Sequence, residues 1–230
     1  MTQMEKLEPL QITDEMKKSR IYRLLQTAET VCFVGDSLTE GTINGGVPWY
    51  EPIRSSIRGK IVNISQGGAT TKLLLAYFLS AIVRAEADLV VVAAGANDIL
   101  FRDPMFCAMT AADYIQSLQK LRDAVCERCP DAKFVFIAPW IATDGDAGII
   151  GGVVPPNTDK AYVDYTAALQ TWCEDAGDVF IDANGYIARR FALSSPEDYL
   201  IDFIHPNAGI GVRLYAEAVL KCDAAERMEC

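Results

Sequence analysis

Five short runs of apolar residues alternate along the chain with longer segments in which apolar residues recur at helical spacing. The runs predict buried strands, because they are rich in β-branched and aromatic residues and end at glycine or polar positions. We predict strands at residues 31–34, 60–64, 88–94, 133–138 and 179–182, and helices at about residues 12–28 (with Thr13 as its cap), 71–82, 108–128, 159–175 and from 207 to about 222. This alternation predicts an α/β fold in which one parallel sheet lies between two layers of helices.

Polar or glycine-rich turns follow each of the first three predicted strands directly. Ser37 follows the first strand, Gly68 the second and Asn97 the third. The carboxyl ends of parallel strands share one edge of the sheet, and ligands bind at that edge in open α/β folds. We therefore expect these three residues to lie near one another.

Each of these residues has a chemical and a structural interpretation. Ser37 is a candidate nucleophile, because the strand behind it holds its backbone rigid; the alternative is that it caps the next helix. Asn97 and Gly68 are candidate oxyanion donors, through a side-chain N–H and a backbone N–H that glycine leaves accessible. Gly68 alone also fits an ordinary turn.

The sequence contains a single histidine, His205, three residues after Asp202. That separation can place the carboxylate beside the imidazole ring. The carboxylate would then hold the Nδ1 proton and leave Nε2 free as a base, which is half of a hydrolytic triad. The alternative for Asp202 is the N-cap of the final helix.

Together these residues form four blocks that resemble those of the SGNH hydrolases, also called GDSL-type esterases and lipases. The resemblance spans residues 31–207, most of the chain. The blocks are Gly35-Asp-Ser-Leu38, residues 62–71 with the oxyanion glycine five residues after Asn63, Gly95-Ala-Asn-Asp98, and Asp202-Phe-Ile-His205.

Two positions depart from known sequence motifs. Ala69 stands where an acidic residue is often found in the second block, at a place with no catalytic role. Thr39, two residues after Ser37, replaces the second glycine of the G-x-S-x-G elbow, which argues against an α/β-hydrolase. We interpret Asp36 and Asp98 as structural carboxylates that accept backbone N–H bonds at the turns on which they sit.

The family resemblance implies a flavodoxin-like five-stranded sheet in the order 2-1-3-4-5 and a mechanism without a metal or other cofactor. It implies that Ser37 attacks an acyl carbonyl, His205 takes its proton and Asp202 orients the ring. The oxyanion would lie among the N–H groups of Ser37, Gly68 and Asn97. We expect one domain over residues 1–230, with residues 1–29 as a helical extension packed on it.

Composition excludes several other classes of protein. The formal net charge of -10 argues against nucleic-acid binding and against docking on anionic lipid. No apolar run is long enough to span a membrane, and the N-terminus lacks the pattern of a signal peptide. The seven cysteines do not form a disulfide framework, and the pair Cys126 and Cys129 has no second pair or nearby histidine to make a zinc site. We expect a reduced, cytoplasmic protein of unknown oligomeric state.

The substrate is the least determined part of the sequence-based hypothesis. Trp49 and Tyr50 lie in a turn-rich loop and either pack it onto the core or line a pocket that stacks on a sugar ring. With the family resemblance, this favours a small acyl group, such as acetyl, on a carbohydrate or glycoconjugate. The alternatives are a lysophospholipase or thioesterase with residues 145–152 as a lid, an acyltransferase, and an inactive binding module with the same fold.

Overall fold

Strands and helices alternate along the chain as the apolar pattern predicts. The computed structural model describes residues 7–101, 103–140, 158–202 and 204–224. The strands are β1 (Thr30–Gly35), β2 (Lys60–Ser65), β3 (Leu89–Ala93), β4 (Lys133–Ile137) and β5 (Val179–Ile181). The helices are α1 (Arg20–Thr27), α2 (Ser37–Glu40), α3 (Thr71–Leu73), α4 (Leu79–Arg84), α5 (Ala96–Phe101), α6 (Ala111–Arg128), α7 (Thr158–Ala176), α8 (Asn184–Leu193) and α9 (Ile210–Ala224).

Four shorter helical segments complete these elements. A π-helical turn at Leu74–Phe78 joins α3 to α4 without a break, so that the two form the one helix expected there. Thr70 caps it by accepting a hydrogen bond from the backbone N–H of Leu73. The 3₁₀ segments are Met16–Lys18, Glu51–Ser56 and Pro196–Asp198.

The five strands form one parallel sheet in the order β2-β1-β3-β4-β5. The predicted α/β fold and the strand order implied by the family resemblance are both confirmed. β1 lies between β2 and β3, and its last residue, Gly35, pairs with Ser65 on one side and Ala93 on the other. The turns that follow these three strands therefore start side by side at one edge of the sheet.

A hydrophobic core lies on each face of the sheet, because successive strand residues point to opposite faces. In β1, Val31 and Phe33 belong to the core beneath α1, α8 and α9, whereas Cys32 and Val34 belong to the core beneath the π-helical turn, α4, α6 and α7. All five residues of β3 are buried, which explains its continuous apolar sequence.

The N-terminal helix begins later than the sequence suggested. α1 starts at Arg20, and Ser19, which has an extended backbone, is its cap and accepts a hydrogen bond from the backbone N–H of Tyr22. Thr13 instead accepts from the backbone N–H of Met16, before a 3₁₀ turn. Met16 is buried in the core shared with β1 and α9, and the Asp223 carboxylate in α9 accepts from the backbone N–H of Ile21 at 2.6 Å.

Trp49 and Tyr50 are core residues, with 0% and 3% of their surfaces exposed. Tyr50 stacks on Phe33 with ring centroids 3.9 Å apart, and Trp49 meets Phe33 edge to face at 5.7 Å. The first interpretation of this loop, that it packs onto the core, is therefore correct. Neither ring offers an open face to a sugar, which corrects the expectation of a stacking wall.

Three further expectations from the sequence concern the cysteine pair, membrane spans and the lid segment. Cys126 and Cys129 are free, half-buried thiols at the end of α6. No helix of the described residues is long and apolar enough to cross a membrane. Residues 145–152, the lid of the lysophospholipase or thioesterase alternative, lie outside the described part of the chain.

The aromatic cluster around Phe33 gives a test of the fold. We expect Phe33→Ala to lower the free energy of unfolding by about 3–5 kcal/mol, because it leaves a cavity between the sheet and the loop that carries Tyr50. Tyr77→Ala, at an aromatic ring that is 71% exposed, should change it by less than about 0.5 kcal/mol. Urea unfolding of the two variants measures this difference, and equal stabilities would contradict the packing described here.

Candidate active site

The chain turns sharply at the end of β1, and Ser37 lies in this turn. Asp36 is the N-cap of α2, with its carboxylate accepting from the backbone N–H of Leu38, and Ser37 is the first helical residue. The alternative interpretation, that Ser37 itself caps this helix, is therefore wrong. Gly35 is required just before it, because an added Cβ would lie 2.4 Å from both the Ala93 carbonyl oxygen and the Thr39 hydroxyl. The Ser37 side chain is thus fixed above the centre of the sheet edge.

The segment from Tyr199 to Asn207 folds back on itself and carries the only histidine of the sequence. An isolated antiparallel bridge joins Leu200 to Pro206, and the backbone N–H of Ile201 donates to the His205 carbonyl at 2.9 Å. The Trp140 indole N–H, just after β4, donates to the Ile204 carbonyl at 2.7 Å. This bond anchors the histidine segment to the carboxyl end of the sheet.

Asp202, His205 and Ser37 form one continuous chain of hydrogen bonds. The His205 Nδ1 lies 2.8 Å from the Asp202 Oδ2, and its Nε2 lies 2.9 Å from the Ser37 Oγ. An ionised carboxylate only accepts hydrogen bonds, so the ring proton belongs on Nδ1. Nε2 then presents its lone pair to the serine hydroxyl. This arrangement can remove the hydroxyl proton as the serine attacks an electrophile.

The Asp202 carboxylate is held by its own loop. Its Oδ1 accepts from the backbone N–H groups of Ile204 at 2.8 Å and His205 at 2.7 Å. Partial burial raises the pKa of Asp202, but these two bonds and the His205 ring outweigh it, so that the pKa lies below its ordinary value. Asp202 does not cap the final helix: the Asn207 side chain accepts from the backbone N–H groups of Gly209 and Gly211 at the start of α9.

The Gly68 turn and Asn97 flank Ser37 on the neighbouring strands. Within the described residues, the backbone N–H groups of Ser37 and Gly68 have no protein acceptor. The Asn97 side-chain amide donates one N–H to the Ala69 carbonyl at 3.0 Å. Its second N–H can donate to a developing oxyanion. The sheet thus brings together all three predicted donors at the edge where Ser37 lies, and they are the kind of groups that stabilise a developing oxyanion.

Two buried carboxylates support the turns that carry these residues. Asp98 accepts from the backbone N–H and hydroxyl of Thr71, both at 2.9 Å, and from the backbone N–H of Ala108 at 2.7 Å. It therefore ties α5 to two other segments, and not only to its own turn as expected. Burial raises the pKa of Asp98 to about 6 and that of Asp36 to about 7. Both act as structural groups, in agreement with the sequence interpretation.

Sequence reasoning missed two residues that contact the site. Trp140 supports the histidine segment, and Glu40 accepts from the backbone N–H of Gly67 at 3.0 Å. Glu40 lies three positions after Ser37 at the end of α2, where a glutamate looks like an ordinary surface residue. Among the described residues, no group of three or more His, Cys, Asp or Glu side chains could hold a metal ion.

Comparisons with known proteins identify a matching family and similar folds. Residues 33–209 match the model of the GDSL-like lipase/acylhydrolase family. Similar solved structures include Axe2, an acetylxylan esterase from Geobacillus stearothermophilus (TM-score 0.68, 16% identity, 88% of this chain and 97% of that chain covered). Another is LAE5, an alpha/beta hydrolase enzyme from the metagenome of Lake Arreo in Spain (TM-score 0.64, 18% identity, 85% and 94% covered). No curated protein matches the sequence.

The buried Asp36 carboxyl makes a prediction about stability and pH. Because burial raises its folded-state pKa from 3.8 to about 7, the folded protein keeps this proton at pH values where the unfolded chain has lost it. The contribution of Asp36 to the free energy of unfolding therefore falls as pH rises from about 4 to about 7, by up to roughly 1.4 kcal/mol per pH unit.

Asp36→Asn keeps a capping side chain but removes this titration. We expect the stability of wild type relative to Asp36→Asn to decrease between pH 4.5 and 7 and to level off above pH 7. Urea unfolding of both proteins across this range measures the difference. A difference that is constant with pH would contradict the burial of an Asp36 carboxyl in the way described.

Proposed function

The chain belongs to the GDSL-like lipase/acylhydrolase family, a family of carboxylic ester hydrolases, and from this premise we propose that it is a serine esterase that acts through an acyl-enzyme on Ser37. His205 is the general base in this proposal and Asp202 orients its ring. The observation that carries the proposal is the continuous chain of hydrogen bonds from Asp202 through His205 to the Ser37 hydroxyl, at 2.8 and 2.9 Å.

The proposed reaction has two halves. In the first, the Ser37 Oγ attacks the acyl carbonyl while Nε2 of His205 takes the hydroxyl proton. The carbonyl oxygen becomes an oxyanion that accepts hydrogen bonds from the N–H groups of Ser37, Gly68 and Asn97. His205 then protonates the leaving alcohol as the ester bond breaks. In the second half, His205 activates a water that attacks the acyl-enzyme, and Ser37 is regenerated with release of the acid.

We propose that the substrate is an ester of a small acyl group, with acetyl preferred, on a carbohydrate or glycoconjugate. The support is the similarity in fold to Axe2, which is described as an acetylxylan esterase. The rings of Trp49 and Tyr50 are buried and cannot stack on a sugar. The acetyl proposal therefore depends on the fold similarity, and a direct measurement of acyl-chain preference decides it.

A second candidate, an esterase for longer acyl chains, is favoured by exposed apolar side chains near the site. Phe106 is 41% exposed, and its carbonyl accepts a hydrogen bond from the hydroxyl of Thr70, two residues after Gly68. Ile201 is 53% exposed, and its backbone N–H donates to the carbonyl of His205. Apolar groups on both sides of the site could shield an acyl chain from water. This is the lysophospholipase or thioesterase alternative.

Hydrolysis of p-nitrophenyl esters from acetyl to octanoyl tests the proposal and separates the two candidates. We expect acetyl ester turnover that Ser37→Ala reduces by at least about 1000-fold, because the variant lacks the nucleophile. A kcat/KM that falls as the acyl chain lengthens supports the small-acyl proposal. Octanoyl turnover much faster than acetyl turnover would replace it with the longer-chain candidate.

The controls address the remaining alternatives. Thermal unfolding of Ser37→Ala should match that of wild type, which separates a lost nucleophile from a lost fold. Product analysis with an added sugar acceptor would reveal an acyltransferase. Undiminished activity in Ser37→Ala would contradict the proposed mechanism, and no turnover of any ester by wild type would favour the inactive binding module.

A further inference from the structure

Glu40 links the helix that begins with Ser37 to the turn that carries Gly68. It is the last residue of α2, and its carboxylate Oε2 accepts a hydrogen bond from the backbone N–H of Gly67 at 3.0 Å. A second bond runs between the same two segments, from the Asn63 side-chain amide to the Thr39 carbonyl at 2.8 Å. The end of α2 therefore contacts the turn directly beside the proposed nucleophile.

The turn itself has a geometry that decides where the Gly68 N–H points. Residues 66–69 form a β-turn closed by a bond from the backbone N–H of Ala69 to the Gln66 carbonyl at 2.9 Å. Gly68, the third residue, has φ +72°, whereas Gly67, the second, has a negative φ. A positive φ at the third position only is the signature of a type II turn.

In this turn the Gly68 N–H belongs to the central peptide group. Types I and II differ by a rotation of that peptide group through about 180°, so the type I form would direct the same N–H to the opposite side. Two successive glycines place little steric restriction on this rotation. The oxyanion donor is therefore presented in one form of the turn and withdrawn in the other.

Packing does not hold the turn in the type II form. A Cβ added at Gly68 would have no atom within 4 Å, so this residue lies in open space. Hydrogen bonds from outside the turn restrain it instead: Glu40 holds the Gly67 N–H, and the Asn97 amide holds the Ala69 carbonyl. The Glu40 bond fixes the peptide group directly before the one that carries the Gly68 N–H. The Asn97 bond fixes the peptide group that follows Ala69, at the end of the turn.

We propose that Glu40 is a positioning residue that keeps the Gly67–Gly68 turn in the type II form and so aims the Gly68 N–H at the oxyanion. This inference rests on the proposed function, in which Gly68 is an oxyanion donor. Glu40 acts through the hydrogen bond and not through its charge, because a negative charge near a developing oxyanion opposes catalysis. An uncharged side chain that still accepts a hydrogen bond should therefore replace it.

Three substitutions separate the hydrogen bond from charge and volume. Glu40→Met keeps the length of the side chain without an acceptor oxygen, and Glu40→Ala removes both. Each should lower kcat for p-nitrophenyl acetate by about 10- to 100-fold with KM within about twofold, since outright loss of an oxyanion donor costs about 100- to 1000-fold. Glu40→Gln retains an acceptor oxygen and should stay within about threefold of wild type.

A second measurement reports on the oxyanion site without turnover. Phenylboronic acid adds to a serine hydroxyl to give a tetrahedral anion that resembles the reaction intermediate. Its inhibition constant should rise in Glu40→Met in parallel with the loss of kcat/KM and remain near the wild-type value in Glu40→Gln. Glu51→Ala is the matched control, because Glu51 is also half-buried but pairs with Arg54 at 3.7 Å, and it should leave both measurements unchanged.

The outcomes distinguish this inference from the proposed function. If Ser37→Ala abolishes the activity but Glu40→Met is fully active, the positioning role is overturned and the esterase proposal stands. Equal losses in Glu40→Gln and Glu40→Met would also overturn it, because the charge would then matter and not the bond. If Glu40→Ala does not fold, Glu40→Met and Glu40→Gln still decide the question. Full activity in Ser37→Ala would instead remove the proposed function itself.

Discussion

The site depends on one constraint, the pairing of β1 between β2 and β3 in a parallel sheet. Parallel pairing aligns the carboxyl ends of the three strands, and the central position of β1 places the Ser37 turn between the turns of Gly68 and Asn97. Burial on both faces of the sheet leaves no freedom for a slip in register, because a shift of one residue would exchange the two cores. The stability of the sheet therefore also determines the geometry of the candidate oxyanion donors.

The histidine segment is positioned by other means, since it does not belong to the sheet. It depends on its own bridge between Leu200 and Pro206 and on the bond from Trp140 near the end of β4. Asp98 links α5 to two other segments, and Asp36 caps α2 within its own turn. Both are buried carboxyl groups with raised pKa values, so their ionisation costs stability. The site thus combines a rigid sheet with buried polar groups that hold its turns.

The sequence predicts the sheet and the site to different extents. Continuous apolar runs were sufficient for the five strands, and the four blocks of polar residues identified Ser37 and His205 as neighbours although 168 residues separate them. Helix caps are harder to predict from the sequence, because capping depends on backbone conformation as well as residue type. Ser19 rather than Thr13 caps α1. The burial of Trp49 depends on Phe33 beneath it, and the contact of Glu40 with Gly67 depends on the adjacency of β1 and β2, which only the folded chain provides.

Covalent labelling tests whether Ser37 is a nucleophile that His205 activates. A fluorophosphonate reacts with a serine hydroxyl only where a base activates it, and mass spectrometry of proteolytic peptides locates the adduct. We expect stoichiometric labelling confined to the peptide that contains Ser37, and labelling slowed by at least about 100-fold when His205 is replaced by alanine. An unlabelled protein, or an adduct on a different serine, would contradict this role of Ser37.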